Sequence, residues 1–162
     1  MEAKSDPRII METIPWFKEL KPVHFEMMAG IASVQYILEG SELFREGDRE
    51  DCLYVIIEGR VALEIFVPGR GRVRILTAEP LDVIGWSSVT PMVRTRTASA
   101  RAVIPSKVIG FNSEKLRKLC DADNELGYFV MRRIANIIAG RLMVTRLQLL
   151  DMFAAHPEAS ND

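Results

Sequence analysis

The sequence is poor in the residues that metal and redox sites use. Its 162 residues include two cysteines, Cys52 and Cys120, and two histidines, His24 and His156. The cysteines lie far apart in apolar stretches, so we expect two reduced, buried thiols. None of the four residues stands at metal-ligand spacing, and no Ser-His-Asp, Cys-His or paired-carboxylate arrangement stands out. We therefore expect no metal, no cofactor and no catalytic residues, and the sequence is not that of an enzyme.

Strong net charge and long apolar runs are also missing. The formal net charge of -1 does not favour nucleic acid or an anionic membrane as a partner. No segment reaches the ~18 apolar residues of a membrane span, and residues 1–8 lack the apolar core of a signal peptide. We expect a cytoplasmic protein with no membrane partner. With 48% hydrophobic and 27% charged residues, the composition is that of one globular domain over residues 1–162.

Three zones follow one another along the chain. Residues 7–32 repeat apolar side chains at helical spacing, and Pro15 and Pro22 divide them into at least two N-terminal helices. Residues 33–111 alternate short β-rich runs with glycine and charged turns, which is typical of a small antiparallel barrel or roll. Residues 113–153 are helical again. The β-rich runs are 34–38, 43–45, 52–57, 61–67, 73–77, 97–103 and 107–111.

The last zone contains a long helix with a heptad-like seam. Its eight positions are Tyr128, Met131, Ala135, Ile138, Leu142, Thr145, Leu149 and Met152. Only one of them is clearly polar, and a long helix with such a seam usually pairs with another helix. We predict a homodimer through this helix, with packing against the chain's own β-rich zone as the alternative. Residues 156–162 have the composition of a disordered tail.

Glycines at fixed positions between the runs give a more specific pattern. The segments that carry it are Tyr36-Ile37-Leu38-Glu39-Gly40, Leu43-Phe44-Arg45-Glu46-Gly47-Asp48 and the stretch from Leu53 to Val61, with Glu58-Gly59 inside it. This pattern resembles the cyclic-nucleotide-binding domain family over about residues 15–150. The resemblance implies an eight-stranded antiparallel β-roll, jelly-roll-like (a double-stranded β-helix), with N-terminal helices and a long C-terminal helix. It indicates architecture rather than ligand.

The resemblance places a phosphate-binding cassette at residues 84–99. The candidate ligand-binding residues in it are Gly85, Trp86, Ser87, Ser88, Arg96, Thr97, Ala98 and Ser99. Arg96 matches the arginine that binds the cyclic phosphate, and a guanidinium offers a rigid fork of donors for phosphate oxygens. Backbone N–H groups at the start of the short helix would add to the anion site. Arg94 is the rival, without small residues after it, and an ordinary surface ion pair is the alternative for Arg96.

Trp86 departs from the family pattern. The family has a glutamate here that accepts from the ribose 2′-hydroxyl, whereas tryptophan only donates through its indole N–H. Ser87 and Ser88 are weaker substitutes for a charged acceptor. Three outcomes stay open: a cyclic nucleotide bound weakly or in another pose, a different anion whose flat ring stacks on Trp86, or an empty pocket. Core packing beneath the short helix is the alternative role for Trp86.

Two residues of the long helix complete the candidate site. Thr145 matches a threonine that touches the adenine ring in the family, while the neighbouring serine position is Arg146 here. Arg141 matches an arginine that reaches toward the cassette glutamate, so without that glutamate it is available for a second anionic group. The alternative is that Thr145 is only a polar position in the seam and Arg141 a charge that flanks it. Thr97 gives only a weak indication of guanine, so cAMP and cGMP both remain candidate ligands.

Two functions follow from these residues. The first is a ligand-sensing module that binds a cyclic nucleotide or related anion and acts through an unidentified effector protein. The alternative is a dimerising protein-interaction module with a degenerate pocket. Regulators of this family carry a helix-turn-helix after the long helix, and the sequence continues only about ten residues beyond it, so we expect no direct DNA binding.

Overall fold

The computed structural model describes residues 6–49, 51–90, 92 and 95–155. Arg94 and the predicted tail at 156–162 lie outside the described residues. Within the described part, the elements come in the predicted order of helices, strands and helices. Among the described helices, none combines the length and the apolarity that crossing a membrane requires.

The N-terminal segment forms three short helical pieces that each begin with a proline. They are α1 at Pro7–Glu12, a 3₁₀ helix at Pro15–Glu19 and α2 at Pro22–Ala29. Proline suits the first helical position, because its fixed φ matches the helix and its missing N–H would have no partner there. The predicted division at Pro15 and Pro22 is therefore confirmed, and each proline starts a new piece.

The β-roll is a single antiparallel sheet. Its strands are β1 (Ala32–Ile37), β2 (Glu42–Phe44), β3 (Cys52–Val67), β4 (Gly71–Ala78), β5 (Val83–Ile84) and β6 (Ser99–Asn112). The hydrogen-bonded order is β1-β6-β3-β4, with β2 also paired to β6 and β5 to β3. The two longest strands thus form the centre of the roll, and β5 leads directly into the predicted cassette.

The sheet has six continuous strands where we predicted eight. Both long strands cover two predicted runs, because pairing between β3 and β6 continues through register shifts around residues 56–61. Gly59 lies at this irregularity with φ +91°, and a Cβ there would stand 2.2 Å from the Oγ of Ser106. A glycine therefore lets the two strands pass closely where a sequence pattern indicates a break.

Two apolar clusters stabilise the fold. One joins the N-terminal helices to the roll and the C-terminal helices, with Phe17 and Phe111 in contact at 5.5 Å between ring centroids. The other fills the interior of the roll around Ile56 and Val108. Burying a large apolar side chain contributes about 1.5–3 kcal/mol, so each cluster contributes substantially to stability.

The C-terminal zone contains α3 (Ser113–Ala122) and α4 (Asn124–Ala155). The Asn112 side chain caps α3 by accepting from the backbone N–H of Lys115 at 2.9 Å. Asp123 caps α4 by accepting from the backbone amides of Glu125 and Leu126. With 32 residues, α4 is about 48 Å long.

The two halves of α4 differ in their surroundings. Buried residues in its first half, such as Leu126 and Ile134, pack against the core. Ile138 also packs against that core, so the seam packs on its own domain at this position. Beyond it, Leu142 and Leu149 are about half exposed, at 51% and 50%. Tyr128 and Met131 in the first half are exposed as well, at 68% and 40%, so the predicted seam is open to solvent at every position except Ile138.

Candidate ligand-binding site

A cavity of about 370 Å³ lies between the roll and α4. Eight of the ten predicted ligand-binding residues line it: Gly85, Trp86, Ser87, Arg96, Thr97, Ala98, Arg141 and Thr145. The cassette supplies six of them and α4 two. The structure thus brings together residues that the sequence holds up to sixty positions apart.

The other two predicted residues, Ser88 and Ser99, do not line this cavity. The Ser88 hydroxyl accepts from the hydroxyl of Ser113 at 2.5 Å, and its carbonyl accepts from Arg117. The Ser99 hydroxyl accepts from the backbone N–H of Glu46 at 2.9 Å. Both serines are buried and tie the cassette to neighbouring elements, so we correct their predicted role from ligand contact to positioning.

Arg96 is buried at one end of the cavity. Its backbone is fixed by the β2–β3 turn: the Arg96 amide donates to the Asp48 carbonyl, and the Gly47 amide donates to the Arg96 carbonyl, both at 2.8 Å. The residue is only 3% exposed, and its guanidinium lies 4.1 Å from the ring centroid of Phe44. Arg96 is therefore not an exposed arginine of a surface loop.

The Arg96 guanidinium is only partly satisfied. Its Nη2 donates to the Cys52 carbonyl at 2.7 Å and to the Asp51 carboxylate at 3.1 Å. Asp51 is 71% exposed on its side chain, so water weakens this ion pair. Nε and Nη1 of Arg96 are buried without a hydrogen-bond partner among the described residues. Buried donors of a charged group without partners are costly, so this end of the cavity favours an anion.

Trp86 has both of the roles considered from the sequence. It lines the cavity, and it also packs, partly buried, against the apolar cluster that contains the N-terminal helices. The described residues around the cavity include no aspartate or glutamate. The cavity therefore offers a flat indole surface where the family pattern has a carboxylate.

The long helix contributes Arg141, Val144, Thr145 and Gln148 to the wall of the cavity. Arg141 Nη2 donates to the Val83 carbonyl at 3.4 Å, and Gln148 Nε2 donates to the Ile75 carbonyl at 3.1 Å. Burial lowers the pKa of the Arg141 guanidinium, while the Asp82 carboxylate acts in the opposite direction. Two side-chain contacts thus join α4 to the strands at the cavity.

Sequence reasoning missed the apolar walls of the cavity and the contribution of Gln148. The wall residues are Phe44, Leu63, Ile65, Ile75, Leu76, Ile84 and Val144. The alternation Leu63-Glu64-Ile65 indicates two side chains on one face of β3, and Leu63 pairs with Leu76 on β4. That pattern could have identified the wall, whereas no sequence signal indicates the Gln148 contact.

Comparison with known proteins defines the class. The model of the cyclic nucleotide-binding domain family matches residues 34–123, which include the roll, the cassette and α3. The chain belongs to the cyclic nucleotide-binding domain family. A search of the curated proteins finds no match.

Solved structures show the same fold over most of the chain. A cyclic nucleotide-binding protein from Geobacter metallireducens is 27% identical, with 85% of this chain and 98% of that chain covered and a TM-score of 0.71. A cyclic nucleotide-binding domain from Methylobacillus flagellatus is 21% identical, with 91% and 82% covered and a TM-score of 0.75. The catabolite activator protein of Thermus thermophilus is 24% identical, with 86% and 63% covered and a TM-score of 0.68. The last two likenesses show the fold alone.

Proposed function

We propose that this chain is a ligand-sensing regulatory module, not an enzyme, that binds cAMP, cGMP or a related anion in the cavity beneath α4. The observation that carries the proposal is the pair of buried, unpartnered donors on Arg96. Membership of the family supports a small-molecule ligand, and the Geobacter structure carries the name of a cyclic nucleotide-binding protein.

The bound anion would lie within the cassette, against Arg96. Nε and Nη1 of Arg96 are shielded from solvent, so its guanidinium would have to move toward the cavity before they donate to the oxygens of the anion. Thr97 lines the same cavity. The sugar or ring of the ligand would then face Trp86 and the apolar wall. No carboxylate of the described residues lines the cavity, so a ribose would have no charged acceptor there. We expect a ribose to bind more weakly here than in a pocket with a carboxylate that accepts from its hydroxyl. We expect stacking on the indole to be the main contact of the ring.

The signal would leave through α4. The helix is both a wall of the cavity, through Arg141, Thr145 and Gln148, and an exposed apolar surface farther along. A ligand that binds more tightly to one placement of α4 against the roll shifts the population of the protein toward that placement. We propose that the exposed seam pairs with a second copy of the chain in the cytoplasm, and that an effector protein reads the change.

The second candidate is a dimerising interaction module whose cavity binds nothing. Two observations favour it. Asp51 already pairs with Arg96, and Trp86 replaces the carboxylate of the family pattern. In that case the cassette would be a structural part of the roll and the partner proteins of α4 would carry the function.

Thermal unfolding with added ligands separates the two candidates. A ligand present at one hundred times its dissociation constant stabilises by about 2.7 kcal/mol, which raises the Tm of a domain of this size by roughly 5–10 °C. We would test cAMP, cGMP, cyclic dinucleotides, AMP and phosphate on the native sequence, on Arg96→Ala and on Arg70→Ala, a control in the exposed hairpin turn.

A shift that Arg96→Ala abolishes and Arg70→Ala retains would support the sensing module and name its ligand. Cooperative unfolding without a shift for any of these compounds would refute it in favour of the interaction module.

A further inference from the structure

We propose a second anion-binding site in a cleft of about 300 Å³ where the N-terminal helical segment meets the first turns of α4. The ligand class is a small oxyanion, either a carboxylate or a phosphate. No residue lines both this cleft and the cavity beneath α4. The two sites are therefore separate, and the proposal is independent of what the roll binds.

The cleft has an excess of positive charge. Its lining includes three cations, Lys21, Arg132 and Arg133, and two carboxylates, Glu19 and Glu125, so the net charge is 3 - 2 = +1 with histidine neutral. Lys21 and Glu125 form an ion pair at 2.7 Å. Neither Arg132 nor Arg133 has a carboxylate oxygen within 4.0 Å among the described residues. Two arginines at one end of the cleft are therefore available for an anion.

Two buried donors at the cleft also have no partner. Trp16 is only 9% exposed, and its indole Nε1 has no hydrogen-bond acceptor among the described residues. The Nε of Arg133 is also buried without a hydrogen-bond acceptor among the described residues. The Arg133 guanidinium lies 5.1 Å from the Trp16 ring, so the two residues that carry these donors stack on each other. Buried N–H groups without acceptors destabilise the fold unless something supplies one.

The chemistry of the ligand follows from this donor set. Both unpartnered buried groups can only donate, and so can a guanidinium such as that of Arg132. The occupant must therefore bring several acceptor oxygens and negative charge, which carboxylates and phosphates do. Glu19, the lining acid without a described ion-pair partner, is exposed, so solvent screens its repulsion of an anion. His24 is already held by Asp123, at 2.9 Å from Nε2 to the carboxylate.

Binding must disturb the stack of Arg133 on Trp16. Both unpartnered nitrogens are shielded from bulk water, so the guanidinium has to move on the indole face before it can grip an oxyanion. The fluorescence of Trp16 should therefore report occupancy. The sequence contains two tryptophans, Trp16 and Trp86, so Trp86→Phe makes Trp16 the only indole fluorophore and Trp16→Phe does the converse.

The test titrates the Trp86→Phe protein with inorganic phosphate and, separately, with citrate, at constant ionic strength. We expect a saturable change of Trp16 fluorescence with at least one of the two anions. Phosphate alone would assign the site to phosphates, and citrate alone to carboxylates. Adding Arg132→Gln or Arg133→Gln should raise the apparent Kd at least tenfold, while Arg146→Gln, an exposed arginine farther along the same helix, should not change it.

The Arg132→Gln variant keeps the stack on Trp16, so it tests the site even if Arg133→Gln does not fold. In the Trp16→Phe protein only Trp86 reports, so this variant measures separately any binding of the same anion to the cavity beneath α4. A response to neither anion, or one that both arginine variants leave unchanged, would overturn the proposal. Its failure would leave the Tm shifts of the roll ligands as they are, so the two proposals are judged separately.

Discussion

The guanidinium of Arg96 lies against the backbone of Gly85. A Cβ at Gly85 would stand 2.4 Å from Arg96 Nη1 and 2.9 Å from the Cys52 carbonyl oxygen, which itself accepts from Arg96. Gly85 also has a φ of +69°, which side chains rarely adopt. The residue that opens the cassette thus makes room for the arginine near its end.

The first prediction concerns this contact. Gly85→Ala should lower the free energy of unfolding by about 2–4 kcal/mol, because it adds overpacking to backbone strain. The matched control is Gly40→Ala: it has a similar φ of +78° but no atom within 4 Å of the added Cβ, so only about 1–2 kcal/mol should be lost. Urea denaturation of the two variants gives both numbers. Equal losses would show that the Arg96 guanidinium gives way freely.

The second prediction concerns the departure at Trp86. Trp86→Glu would place a carboxylate in the cavity, where it can accept from a ribose hydroxyl and where Arg141 offsets its charge. A charge-assisted hydrogen bond contributes about 1.5–3 kcal/mol, so cyclic nucleotides should bind roughly 10- to 100-fold more tightly. Isothermal titration with cAMP and cGMP measures the change.

Trp86→Phe is the control for that variant. It shortens the indole without supplying an acceptor, so it should not tighten binding. Equal affinities of Trp86→Glu and Trp86→Phe for both nucleotides would mean that the sugar does not lie near this position.

The glycine and strand pattern predicted most of the fold, and the family resemblance predicted eight of the sixteen described residues that line the cavity. The strand count was wrong because Gly59 allows β3 to continue where glycine more often marks a turn. Phe44 lies in a motif segment and Asp51 in the turn between two of them, and no sequence pattern joins either residue to Arg96, which both contact. Their contacts depend on how the β2–β3 turn folds over the cassette, and local sequence does not encode that geometry.

The serines show the same limit from the other side. Ser88 and Ser99 stand beside cavity residues in the sequence, yet neither lines the cavity. Ser99 begins β6, whereas its cavity-lining neighbours Thr97 and Ala98 precede the strand, and in the short cassette helix successive side chains point in different directions. Position next to a binding residue therefore does not predict a contact with the ligand.

The third prediction concerns acid stability. The Glu64 side chain is buried in β3, and the pKa of its carboxyl is lowered, chiefly by the hydrogen bond from Arg101, against the opposing effect of burial. The pKa of a glutamate side chain in the unfolded chain is about 4.3. A group whose pKa is lower in the folded state stabilises above the unfolded value and loses that contribution as the pH falls through the folded value.

The measurement for Glu64 is the free energy of unfolding between pH 7 and pH 3. Stability of the native sequence should fall below about pH 4.5, and Glu64→Gln should make that decline shallower. Glu39→Gln, in the exposed turn after β1, is the control and should leave the slope unchanged. The same slope in the native protein and in Glu64→Gln would contradict the assignment.

The fourth prediction concerns the exposed half of α4. Leu142 and Leu149 lie seven residues apart on the predicted seam, with Thr145 of the cavity wall between them. If this face pairs with a second copy, Leu142→Glu with Leu149→Glu should convert a dimer to a monomer, because four carboxylates, two from each copy, would be buried at the interface. Light scattering at several protein concentrations measures the mass.

Met143→Glu with Leu147→Glu is the control for the seam. Both residues are exposed, and they lie about 100–160° round the helix from Leu142 and Leu149, so pairing through the face of those two leucines should be unaffected. Because Thr145 faces both the cavity and the seam, loss of the dimer should also weaken ligand binding. An unchanged mass for the Leu142 and Leu149 variant would mean that this face does not pair two copies of the chain, and that it either binds the effector protein or has no partner. Loss of the dimer in the control instead would move the interface to the other side of α4.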